Sequence, residues 1–305
     1  MDLTWTTAQL QEAQQIVVER FAMNSVAGHL APQLNVEEIE TTVKRNRFDV
    51  STGRVIDRET LGLYEPFSFC RLTKAQVDEF ASSTNNTAST NNTTKQTKAA
   101  TSLTRAASRL ARWHDILFFA GFNEASKPPG VEMPPLADPP QSLRGAALEA
   151  ENLDTSNPKY IQVRTPFNER LVDAVYQAVL RLETRGYYTA YHLVLGEMLW
   201  RALHEPTPGS LVLPRERIKP TLIGDGEFHR TTTLPANEAL LVSKDGPTFD
   251  CVIAGDTAKQ PRFEFLRVAP DSSEGEELYL FRIRERFTPR VRESQAIVRL
   301  VAGGK

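Results

Sequence analysis

The sequence predicts an α+β protein, and two observations carry that prediction. Apolar residues recur at helical spacing over residues 99–122 and again over 169–185. Two sets of short alternating runs, at 187–254 and at 262–301, read as antiparallel strands separated by turn residues. Helices and strands in separate runs, with no internal repeat, place the chain in the α+β class.

Taken in order, residues 6–31 form the first helix. Thr6 or Thr7 caps it, Leu10, Ala13, Ile16, Val17, Phe21 and Ala22 form its apolar stripe, and Gly28 and Pro32 bracket its exit. Residues 33–65 are polar with thin alternations (Ile39, Val43, Phe48, Val50, Val55, Ile56) and read as an extended, exposed hairpin. A lone two-stranded hairpin is marginal in water, so this one makes sense if another chain completes it. Residues 66–72 alternate as a strand, and Thr73 opens a short helix with Val77 and Phe80 on one face. Residues 81–98 are an Asn/Thr-rich tract that cannot offset the entropy of ordering, and are expected to be a mobile loop.

The helix at 99–122 widens its apolar stripe after Asp115 to the whole circumference, so its C-terminal end should be buried all round, with Gly121 near its C-cap. Residues 124–165 carry three Pro pairs and read as an irregular crossing. The helix at 169–185 stops at Gly186. A strand at 187–195 and a helix at 197–204 follow, and Pro206-Thr207-Pro208-Gly209 breaks the helix. Residues 239–243 and 248–254 are expected to pair as a hairpin, 262–269 to pair with 277–285, and 295–301 to close the chain.

The 305 residues are 40% hydrophobic and 24% charged, ordinary for a soluble chain of about two domains. A net charge of -2 gives no drive towards nucleic acid or an anionic membrane. Cys70 and Cys251 lie far apart in apolar runs, as buried free thiols of a reducing cytoplasm would. The N-terminus lacks the basic and apolar regions of a signal peptide, and the longest apolar run, 116–122, falls far short of a membrane span. A cytoplasmic protein is expected.

His114-Asp115 is a pairing familiar in metal hydrolases. Such sites need further His and Asp ligands, and the only upstream histidine, His29, has no matching carboxylate on its helix. A hydrogen-bonded structural histidine is the favoured reading, with a metal-dependent hydrolase as the alternative. His192 sits in an apolar strand as a buried histidine, and His204 is placed to meet a helix C-terminus. His229 lies in "GDGEFHR", which reads as an exposed loop tip. No nucleophile elbow, phosphate loop or dinucleotide fingerprint is present, so neither catalysis nor a cofactor is expected. The Arg-rich stretch "FRIRERFTPRVRESQAIVR" is read as Arg–Glu contacts within or between subunits rather than as a nucleic-acid stripe.

An arm helix, an exposed hairpin and a spine helix without a catalytic constellation describe a chain that contacts copies of itself. Four segments sharpen this: "TTAQLQEAQQIVVERFAMNSVAGH", "EPFSFCRLTKAQVDEFA", "AASRLARWHDILFFAGFN" and "ERFTPRVRESQAIVRLV". In this order they resemble the encapsulin (linocin-like) shell proteins, which have the Hong Kong-type fold of tailed-phage major capsid proteins. The tract 81–98 and the Pro-rich crossing depart from the family pattern.

The resemblance implies an N-terminal helical arm (1–35), an extended loop (36–65), a peripheral domain (66–186 and 260–302) and an axial domain (187–259). It implies a non-enzymatic protein assembling into a hollow icosahedral homo-oligomer of roughly 60 or more subunits. The shell would enclose a cargo enzyme, a ferritin-like protein or a dye-decolourising peroxidase, serving iron storage or defence against oxidative stress. Gly224, Asp225, Gly226, Glu227 and His229 become candidate pore-lining residues at a five-fold vertex. Phe21, Val26 and His29 become candidates for docking the cargo's C-terminal peptide. A prophage capsid protein packaging DNA is the alternative with the same fold.

Overall fold

The long helix read from the sequence is the axis along which the rest of the chain is arranged. In the computed structural model it is α4, Lys98–Phe119, capped by Thr97, whose hydroxyl accepts from the Ala100 amide. It ends before residue 122 because Gly121 takes φ 76°, a left-handed conformation in which glycine carries no steric penalty. The structure describes residues 3–37, 40, 42–49, 54–85, 97–122, 127–133, 144–145, 160–207, 209–244, 248–255, 260–270 and 277–303. Most of the Asn/Thr-rich tract, two of the Pro pairs and the strand turns at 245–247 and 271–276 lie outside these residues.

α4 passes through two cores. Leu103, Ala106, Ala107 and Leu110 pack with Trp5, Phe21, Phe80 and Phe281. Trp113, Leu117, Phe118 and Phe119 pack in a second core with Phe249, Ile253 and Phe287. The switch falls between Ala111 and Trp113, just before the stretch that is apolar all round. Phe118 and Phe119 are wholly buried, worth roughly 2–3 kcal/mol each in area removed from water.

The arm is two helices rather than one. α1, Thr7–Asn24, and α2, Val26–Leu30, are separated at Ser25, whose backbone is extended and whose hydroxyl caps α2 at Gly28. Strand β1, Gln33–Val36, follows. The hairpin expected within 33–65 is β2, Thr42–Asp49, against β3, Arg54–Gly62. Its base is buried, where Val43 and Leu61 pack on Val252. β4, Phe67–Thr73, and α3, Lys74–Asn85, come next, so the polar tract begins as helix. Within the Pro-rich crossing lie two short strands, β5, Val131–Glu132, and β6, Ile161–Val163.

A third core lies under α5, Phe167–Thr184. Beyond it come β7, Tyr191–Leu195, α6, Glu197–His204, α7, Pro214–Ile218, β8, Phe228–Arg230, and β9, Glu238–Ser243. The chain ends with β10, Phe249–Ala254, β11, Arg262–Pro270, β12, Glu277–Arg284, β13, Phe287–Val291, and β14, Ile297–Ala302. The five-stranded sheet runs β6-β14-β9-β7-β8. Every residue of β7 and β9 is buried because the sheet is covered on both faces: Leu193, Leu195 and Leu241 face the third core, and Val194, Leu240 and Val242 face the second.

One expected pairing is corrected. β9 and β10 do not form a hairpin. β9 is flanked by β7 and β14, while β10 is flanked by β1 and β13 in a separate sheet. Both edges of each strand are already taken, so the turn between them carries the chain from one sheet to the next. The pairing of β11 with β12 is as expected, and β12 continues onto β4.

The joint between arm and spine is a buried polar cluster. The Asp115 carboxylate accepts from the Ser25 hydroxyl (3.0 Å) and from the amides of Val26 (3.1 Å) and Ala27 (2.9 Å), the first turn of α2. His114 Nδ1 lies 2.8 Å from Ser25 Oγ, and its Nε2 faces Cys251 Sγ at 3.6 Å. One tautomer satisfies the set: His114 donates from Nδ1 to Ser25, Ser25 donates to Asp115, and the Cys251 thiol points at Nε2. Burial pulls His114 down to about 3 and pushes Asp115 up to about 7, against its three donors. Glu285, just past β12, is buried close by, and burial together with the Asp115 charge pushes it up to about 8.

Asp115→Ala strips three donors, two of them buried, of their acceptor and is expected to cost roughly 3 kcal/mol, read as a lower midpoint in denaturant. Gly196 has no room for a side chain, since a Cβ there would lie 2.1 Å from the Pro235 carbonyl. Gly196→Ala should cost about 1–3 kcal/mol by the same measurement. The pH dependence follows from the shifted groups. A carboxyl raised in the folded state contributes stability that is lost as pH rises towards its folded value, and neutral His114 destabilises only below about pH 6.5. The thermal midpoint should therefore fall between about pH 6.5 and 8, and Glu285→Gln should flatten that fall.

Candidate functional site

His114 and Asp115, the pair considered for metal chemistry, are spent on the arm–spine joint. Both carboxylate oxygens and both ring nitrogens of the pair face protein groups. Among the described residues, no three His, Cys, Asp or Glu side chains are grouped to hold a metal ion. His29, the upstream histidine, is exposed on α2. Cys70 and Cys251 are buried free thiols, and burial raises both, Cys70 to about 12, which keeps them protonated and unreactive.

The "GDGEFHR" segment is only partly an exposed tip. Gly224, Asp225 and Glu227 are exposed, and Gly224 takes φ 59°. Gly226 is buried, where a Cβ would lie 2.0 Å from the Leu222 carbonyl and 2.4 Å from that of Tyr191, so its missing side chain is a packing requirement. His229 is corrected from loop tip to strand. It sits half-buried in β8 opposite Val194, because β8 pairs in parallel with β7. Its Nε2 lies 2.9 Å from His192 Nδ1, and the two rings stack with centroids 5.2 Å apart. Burial, then the neighbouring His192, lowers His229 to about 4, and burial likewise lowers His192. The pair is therefore neutral at pH 7. His204, the last residue of α6, faces the Trp200 carbonyl from Nδ1 at 2.9 Å, as a histidine at a helix C-terminus is expected to do.

On the arm, Phe21 and His29 line one cavity of about 140 Å³ between α1, α2 and β10. Val26 does not line it. Val26 lies instead on a groove with Arg20, Arg112 and Arg230. The cavity brings in two residues that the sequence did not single out, Gln260 and Glu285.

The Arg-rich strands make their contacts within the chain. Arg282 and Arg284 share Glu264 across β11 and β12, and Arg284 also reaches Glu65. Arg290 grips Asp250 with two parallel bonds of 2.7 and 2.8 Å and donates to the Lys44 carbonyl at the hairpin base. Arg299 grips Glu238 in the same way. Paired forks of this kind fix register. No helix among the described residues is long and apolar enough to cross a membrane.

With this geometry in hand, comparison with known proteins places the fold. Residues 155–260 match the family model described as an encapsulating protein for peroxidase. No curated protein sequence matches the chain. A virus-like particle from Pyrococcus furiosus superposes with TM-score 0.61 at 12% identity, covering 96% of this chain and 98% of that one. The capsid of an empty GTA particle gives TM-score 0.54 at 15% identity, covering 92% and 90%. The holo-SrpI encapsulin complex from Synechococcus elongatus gives TM-score 0.50 at 11% identity, covering 99% and 92%. This chain has the tailed-phage major capsid fold, and within that fold it resembles the encapsulin shell proteins.

Proposed function

We propose that the protein is an encapsulin-type shell subunit that assembles with copies of itself into a closed icosahedral compartment around a cargo enzyme. The observation that carries this reading is the match of residues 155–260 to an encapsulating-protein model within a chain of capsid fold. The extended hairpin supports it. The β2–β3 pair forms a two-stranded sheet of its own, and such a pair is stable when neighbours complete it. Exposed Leu180, Tyr176 and Ile223 around one apolar groove offer a further surface for a neighbouring copy.

In this assignment the arm is 1–35, the extended loop 36–65, the peripheral domain 66–186 with 260–302, and the axial domain 187–259. The turn at 224–227 faces a five-fold opening, where rings of Asp225 and Glu227 favour cations over anions. Burial of Gly226 and the place of half-buried His229 in β8 make them supports of that turn rather than its lining. The cargo peptide docks on the inner face beside Phe21 and His29.

Purified protein examined by negative-stain electron microscopy should show hollow closed particles. A population of monomers and dimers would contradict the proposal, and particles protecting DNA from nuclease would point to the phage-capsid alternative. Replacing both Asp225 and Glu227 by Lys should leave particles intact and slow the entry of a divalent cation several-fold, read by quenching of an enclosed chelating dye. Unchanged entry would place the turn away from the opening.

A further inference from the structure

The cavity beside α2 has an unusual floor. Its upper wall is apolar, made by Val18, Phe21 and Ile253, and exposed Ala22 and His29 stand at its mouth. Two lining residues carry buried oxygens with no hydrogen-bond partner: Oε2 of Glu285, whose residue is 1% exposed, and Oε1 of Gln260, whose residue is 8% exposed. The Gln260 amide nitrogen is committed to the Ala254 carbonyl at 3.1 Å, which fixes its oxygen as the free group. Unpartnered buried acceptors cost free energy and call for a donor. Asp115 is close enough to raise Glu285, so two carboxyls share this part of the interior.

We propose that this cavity is a binding site for an alkylammonium group, the end of a lysine side chain, with Glu285 and Gln260 as its acceptors. An ammonium brings several donors and no acceptor, which matches a lining that carries two unpartnered oxygens, one of a carboxyl and one of an amide. An aliphatic stem matches Val18, Phe21 and Ile253. The volume of about 140 Å³ holds one such side chain and not a folded segment. The charge also fits: Glu285 and His29 are the titratable residues that line the cavity, Asp115 stands near enough to raise Glu285, and a cation is what stabilises ionised Glu285 there. The inference deepens the docking reading of this face and rests on it for the lysine's being part of a cargo peptide. The probes below are small molecules, so shells that load no cargo still answer the test.

Isothermal titration of the assembled protein with n-butylammonium chloride and with Nα-acetyl-lysine methylamide should show saturable binding of both. Glu285→Gln should weaken both at least tenfold, and neutral n-butanol should not bind. Should Glu285→Gln fail to fold, Gln260→Ala should still weaken both probes several-fold. Absence of binding, equal binding of n-butanol, or binding unchanged in the variants would overturn the site. Binding of n-butylammonium without the lysine derivative would overturn its assignment to lysine.

Discussion

Three hydrogen bonds converge on one buried carboxylate, that of Asp115, and the placement of the arm on the spine depends on them. A charge-bearing group in this position is costly to bury, and its donors come from the first turn of α2 and from the serine that caps it. That arrangement breaks the arm at Ser25 and turns α2 across α4. It also leaves the cavity lined by Phe21, His29, Gln260 and Glu285 between the arm and β10. His114 completes the cluster by tying Ser25 to Cys251, so one residue pair connects the arm, the spine and the β1-β10-β13 sheet.

A second constraint acts on the strands. The chain commits both edges of β9 and of β10 to different partners, and it holds the hairpin base with Arg290 on Asp250 and on the Lys44 carbonyl. The pairs between Arg290 and Asp250 and between Arg299 and Glu238 are largely buried, and therefore retain strength in salt that surface pairs lose. A clamped base is what a subunit needs if its hairpin is to meet a neighbour in a defined direction.

The sequence carried some of this openly. The helix at 197–204 was legible to the residue because its apolar face is confined by glycine before it and a Pro-rich break after it. The spine helix was legible because its stripe widens where two cores meet. The break at Ser25 was hidden because the apolar period runs on through Phe21, Val26 and Ala27, yet a serine followed by a short apolar turn is a capping signal. The β9–β10 pairing was misread because neighbours in sequence usually pair, and only the whole topology shows both strands already flanked. The cavity floor was missed although its signal was present. Tyr279, Phe281 and Ile283 alternate inward along β12, and the same period-two count lands on Glu285, placing an acid on the buried face. His229 was assigned to the surface from its glycine-rich surroundings, when its stacking partner His192 lies 37 residues earlier.

The central claim, that the clamped hairpin and capsid fold serve a closed shell of identical chains, is tested most directly by the mass of the assembled particle. The chain weighs 34.2 kDa. Charge-detection mass spectrometry should give one narrow peak at about 2 MDa for roughly 60 copies, or at an integer multiple of that mass for a larger icosahedron. A single-chain mass, or a continuous ladder of open oligomers, would contradict it.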